Sequence, residues 1–159
     1  MTPSQHIARH FRGLFFGPNA TGVHLQALLA DVTWEEATAR VGNCNTIALL
    51  TYHIHYYVRG VLEVLRGGPL VIRDKYSYDL PPLHAEADWK ALRDQVWTDA
   101  EAFASEVEQL PEERLWQNMA DARYGSWYQN LHGIIEHSHY HMGQIALLKK
   151  ILRNTTGRT

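Results

Sequence analysis

Four histidines stand close together in 130-NLHGIIEHSHYHMGQIALLKKIL-152: His132, His137, His139 and His141. Imidazole can bind a metal, move a proton or fill a hydrogen-bonded niche in a core. Helical phase divides the four, because an α-helix advances ~100° per residue. With His137 at zero, His141 lies ~40° away on the same face. Ile134, Ile145, Leu148 and Ile151 share that sector, as do Asn130, Gly133 and Gln144. His139 lies ~200° round, and His132 is also well off the face. Two imidazoles inside an apolar stripe must be hydrogen-bonded or coordinated. They are either satisfied core histidines or part of a metal site whose third ligand sits on another helix.

A second apolar segment offers that ligand, in 49-LLTYHIHYYVRG-60. With His53 at zero, Thr46, Leu49, Leu50, Tyr57, Gly60, Val61 and Val64 gather around it. His55 lies ~200° away, beside Arg59 and off the core face. Gly60 and Gly133 fall on the two inward faces, where glycine marks close backbone approach or room for something. His53, His137 and His141 thus make a candidate three-histidine set from two helices, with one or more open positions. Neutral imidazole suits zinc, nickel, copper or iron(II). Gln144, Tyr57, Tyr140 and Asn130 are the candidate supporting or pocket residues. No catalytic residue is assigned.

Other site chemistries fit less well. The H-E-x-x-H pattern is absent, since Ser138, His139 and Tyr140 separate His137 from His141. Glu136 and His139 form one E-x-x-H match, but off the core face and without the second match that a di-iron bundle needs. Cys44 is the only cysteine, so an internal disulfide and a thiolate-rich metal site are excluded. Its phase points away from His53, and it reads as structural. No G-x-S-x-G and no phosphate-binding glycine loop is present.

The elements that must position these groups are helical, and strand-like alternation is sparse. Thr2 and Pro3 start a first helix that breaks at 17-GPN-19, with a further piece over residues 20–30. Thr33 and Glu36 form a capping box. A long apolar helix over residues 46–65 stops at Gly67-Gly68-Pro69. Residues 69–85 form a long connection of the kind that often serves as a lid. A helix over 86–110 closes at Pro111. An aromatic-rich loop, 116-WQNMADARYGSWY-128, leads into a last helix over 129–152. The fold class is all-α, a four-helix bundle with long connecting loops, in one domain covering residues 1–159.

Net charge is −2, which gives no electrostatic case for nucleic acid. Lys149, Lys150 and Arg153 complement the dipole at the end of the last helix. No segment approaches the ~20 apolar residues of a membrane span, and 1-MTPSQHIARHFRG-13 has no apolar run of signal-peptide type. A cytoplasmic location is expected.

Taken together, Tyr52-His53-Ile54 and 134-IIEHSHYHMGQI-145 resemble the DinB superfamily. There a histidine in the second helix joins an H-x-x-x-H pair, followed closely by G-Q, in the fourth. His53, His137 and His141 match that triad, and Gly143-Gln144 match the G-Q. The resemblance implies an up-down-down-up bundle with one zinc- or nickel-type centre at one end. It also implies frequent homodimerisation through helix faces. The helix over 46–65 suits that role, with Ile47, Val58 and Leu62 on the side away from His53. Characterised relatives include transferases and isomerases that use a low-molecular-weight thiol such as bacillithiol or mycothiol. The expected function is therefore metal-dependent transfer or isomerisation of a small-molecule electrophile, with or without a thiol cofactor. A non-catalytic metal-binding or interaction module of the same fold stays open beside it.

Overall fold

The computed structural model describes residues 1–155 and Gly157. The described residues form helices and turns with no strand, apart from one isolated bridge between Asn118 and Ser126. The seven α-helices are α1 (Pro3–Phe16), α2 (Leu25–Leu29), α3 (Trp34–Thr38), α4 (Ile47–Leu65), α5 (Glu86–Glu108), α6 (Glu112–Leu115) and α7 (Trp127–Thr155). Two 3-10 turns lie in the long connections, at Asp74–Tyr76 and Ala122–Tyr124. The four long helices pack in a ring: α4 lies against α5 and α7, and α1 closes against the same two.

Local chemistry sets the helix ends. The Thr2 hydroxyl accepts from the Gln5 amide while Gln5 reaches back to Thr2, which fixes the start of α1. Thr33 and Glu36 do the same for α3. Thr46 caps α4 through the Leu49 amide. Gly67 ends α4 at φ 87°, and the Gly68 amide returns to the Glu63 carbonyl. α7 starts at Trp127, two residues earlier than expected, because Ser126 and Gln129 form a reciprocal cap.

The helix expected over residues 20–30 shrinks to Leu25–Leu29. Asn19 bonds the Thr21 amide and the Val23 carbonyl, so residues 19–23 make a turn and His24 caps α2. The short α6 after Pro111 is an element that the sequence did not lead us to expect.

Phe11, Phe15 and Phe103 stack between α1 and α5, with ring centroids 4.4–4.6 Å apart along the chain of contacts. Trp89 is wholly buried and donates from its indole to the Val32 carbonyl at 2.8 Å. The basic residues at the end of α7 do more than face a dipole. Lys149 and Arg153 pair with Asp31, and Arg153 also holds Glu36. These pairs tie the last helix to the α2–α3 segment. They hold the Asp31 carboxyl down at about 2, chiefly through its bonds to Lys149 and Arg153.

α4 is covered on both sides. Ile47, Val58 and Leu62, expected on a dimer face, are buried within the single chain. His55, expected off the core face, is buried as well, with Nε2 2.7 Å from Asp99 Oδ2 on α5. The reason is position: α4 packs against both α5 and α7, and its exposed side is the one that carries Arg59 and Glu63. No described helix is long and apolar enough to cross a membrane.

Candidate metal centre

His53 on α4 meets His137 and His141 on α7. One ring nitrogen from each lies within 4.8 Å of the other two, close enough to hold a single ion. His53 Nε2 and His137 Nε2 are 3.0 Å apart. Tetrahedral ligands at a zinc–nitrogen bond length of ~2.05 Å would be ~3.3 Å apart, so this pair stands near coordination spacing.

The outer nitrogens decide which atoms face inward. His53 Nδ1 lies 3.1 Å from the Ser77 carbonyl, an acceptor only, so Nδ1 carries the proton and Nε2 a lone pair. His141 Nδ1 lies 2.7 Å from Gln144 Oε1 and, with that oxygen as acceptor, also leaves Nε2 free. Such bonds to the outer nitrogen orient metal-bound histidines. His137 differs. Its Nδ1 is buried with no hydrogen-bond partner, and its Nε2 faces His53 Nε2 at 3.0 Å.

Burial lowers the His53 pKa below the ordinary imidazole value, although the Ser77 carbonyl opposes the shift. Burial is also the main cause at His137, whose pKa falls to about 4, with the repulsion of His141 and then His53 added. Both rings are therefore neutral near pH 7, the form that coordinates a metal.

The connection over 69–85 builds one wall. Tyr78 stacks on His53 with centroids 4.0 Å apart and planes 9° from parallel. Tyr57 packs edge-on against both His53 and His137 and donates from its hydroxyl to Asp74 Oδ1 at 2.9 Å. The Tyr56 hydroxyl accepts from the Arg73 amide and donates to the Arg73 carbonyl. Ile72 folds over Gly60, where an added Cβ would lie 2.4 Å from Ile72 Cγ1. Gly60 thus admits this strap, and does not make room for a ligand. Gly133 does leave room, because an added Cβ there would meet nothing within 4 Å.

That room is part of a cavity of about 910 Å³ whose lining includes His137, Tyr57, Asn130 and Gly133. Asn130 lines it while its side-chain amide donates to the Tyr124 and Ser126 carbonyls. Tyr140 sits edge-on to His141 but is 66% exposed and is not part of the cavity lining. His132 and His139 stay out of the cluster. His132 packs on Tyr128, and His139 lies 6.4 Å from His10 between ring centres. Cys44, read as structural, is exposed in the turn before α4.

Asp74, Ser77 and Tyr78 were missed from the sequence. Their only signal was a long connection punctuated by aromatic and acidic residues. Among the described residues, the three histidines are the one group of histidine, cysteine or carboxylate side chains that converges in this way.

A family model described as the DinB superfamily matches residues 20–145, a span that holds all three histidines and leaves α1 outside. No curated protein and no solved structure gives a significant match.

Proposed function

Because the chain belongs to the DinB superfamily, we propose that His53, His137 and His141 hold one divalent metal, zinc or nickel, and that the centre is catalytic. The observation that carries this reading is three converging imidazole nitrogens beside a large cavity. The donor set fits a divalent ion: neutral, nitrogen-only and aimed by outer hydrogen bonds. A purely structural zinc site would be closed by a fourth protein ligand. Bound there, a divalent ion supplies Lewis acidity and lowers the pKa of a water or thiol at its open position.

The chain's own residues have separate roles in this reading. Ser77 and Gln144 fix the tautomers of His53 and His141. Tyr78 and Tyr57 clamp the His53 ring from two directions and narrow the access of water. The cavity beside His137 takes a small-molecule electrophile, for transfer or isomerisation with a low-molecular-weight thiol as co-substrate. The bundle belongs to the up-down-down-up type, which the ring of four long helices supports.

Homodimerisation and a cytoplasmic setting complete the proposal. The exposed Tyr140, Leu147 and Ile151 on one stripe of α7 support a helix-face contact. The deciding experiment is elemental analysis of the purified chain beside His53→Ala. One metal equivalent in the parent and none in the variant is the expected result. Full occupancy in the variant would remove His53 from the centre.

A further inference from the structure

Two arginines reach the same cavity from separate segments, Arg73 from the strap and Arg123 from the 3-10 turn before α7. Among the described residues, neither guanidinium makes a hydrogen bond to a protein group. The backbone of Arg73 is held by Tyr56, but among the described residues its side chain makes no hydrogen bond and no ion pair. Arg123 has Asp121 at 3.8 Å, beyond hydrogen-bond distance, and lies over the Tyr124 ring. Its side chain is 72% exposed, so its donors are open to a ligand. Asp74 is the one acid in the lining, and its Oδ1 already accepts from Tyr57.

The rest of the wall favours an apolar body. Val61, Leu70, Ile72, Met119 and Ile134 line it, and Gly133 leaves the helix surface bare. Guanidinium is the side chain best matched to a carboxylate or phosphate oxyanion, which it holds with paired hydrogen bonds. The geometry points to a ligand with an apolar body and a terminal oxyanion, a carboxylate or a phosphate ester, received by Arg73 and Arg123. The opposite end of such a ligand lies toward His137 and the histidine cluster. This deepens the proposed function and rests on it only for where the ligand's reactive end points.

Isothermal titration of the full-length chain as purified tests this, with 4-phenylbutyrate, its neutral amide and phenyl phosphate as probes. The better anion should bind at least about tenfold more tightly than the amide, as expected for paired charge-assisted hydrogen bonds to two guanidinium groups. Arg73→Gln and Arg123→Gln should each remove most of that preference and leave the amide unchanged. Tighter binding of phenylbutyrate assigns a carboxylate ligand, and tighter binding of phenyl phosphate assigns a phosphate ester. Equal binding of acid and amide, no binding of any probe, or arginine variants that keep the preference would each overturn the inference. The last result would also give the anion to the metal. Metal content of the same samples separates the two readings. Anion preference lost with metal retained leaves the centre standing, whereas anion preference without metal leaves only the arginine site.

Discussion

Alanine at Gly133 and alanine at Gly60 should move stability in opposite directions. Both positions lie inside long helices, where glycine costs about 0.5–1 kcal/mol relative to alanine. At Gly133 the new methyl meets nothing within 4 Å, so the helix gain stands alone. The variant should be more stable by about 0.5–1 kcal/mol, a melting rise of about 1–4 °C for a chain of this size. At Gly60 the methyl would lie 2.4 and 2.7 Å from Ile72 Cγ1 and Cδ1. Ordinary carbon contacts are ~3.5–4.0 Å, so Ile72 must retreat by roughly 1 Å. Overpacking of this kind costs about 1–3 kcal/mol, which outweighs the helix gain. The net change should be a loss of up to about 2 kcal/mol. Ile72 lies five residues before Ser77, whose carbonyl orients His53, so Gly60→Ala should weaken metal binding too. Urea melts and a metal titration on both variants measure this. A destabilised Gly133→Ala, or a Gly60→Ala as stable as Gly133→Ala, would refute the assignment of one glycine to the strap and the other to the cavity.

Gln144→Leu removes the acceptor from His141 Nδ1, and loss of such a partner lowers metal affinity about 10–100-fold, readable by competition with a chelator. Asp99→Ala leaves the buried His55 Nε2 without its partner and should cost about 1–3 kcal/mol in a urea melt, with metal content little changed. In metal-free protein, acid should be destabilising on the histidine side of neutrality. The unfolded chain protonates His53 and His137 near 6.5, whereas the folded chain resists, His137 down to about 4. Stability from these two groups is full above about 6.5 and falls as pH drops toward 4. A melting temperature that is flat over this window would contradict the burial of the pair. In the metal-loaded chain, metal should be released as the same window is crossed.

The histidine phases were legible because α4 and α7 keep a regular period across their inward stripes. The capping boxes at Thr2 and Thr33 were legible too, since each depends on residues three apart. His55 was not, because phase orders the faces of one helix but does not say how many neighbours it has. Its partner Asp99 is 44 residues away on α5. Asp74, Ser77 and Tyr78 act from a segment with no period to read, and Ser77 acts through its backbone carbonyl, which every residue type possesses. Gly60 and Gly133 looked alike in the sequence. Only the path of Ile72 distinguishes them. The helix expected over 20–30 is shorter in the structure because Asn19 and Thr21 have local backbone bonds available that compete with helix.

His53 and His55 sit two residues apart on α4 and grip opposite neighbours, α7 on one side and α5 on the other. Their bonds act about the helix axis in opposing senses, like two spokes set against each other. α4 cannot roll toward one neighbour without stretching the link to the other. The aim of His53 into the cluster is therefore set partly by Asp99 on the far side of the helix, where no ligand reaches. If the proposed centre holds a metal, a variant at Asp99 that keeps it but admits a wider range of ion sizes would show that this restraint on roll helps set which ions fit.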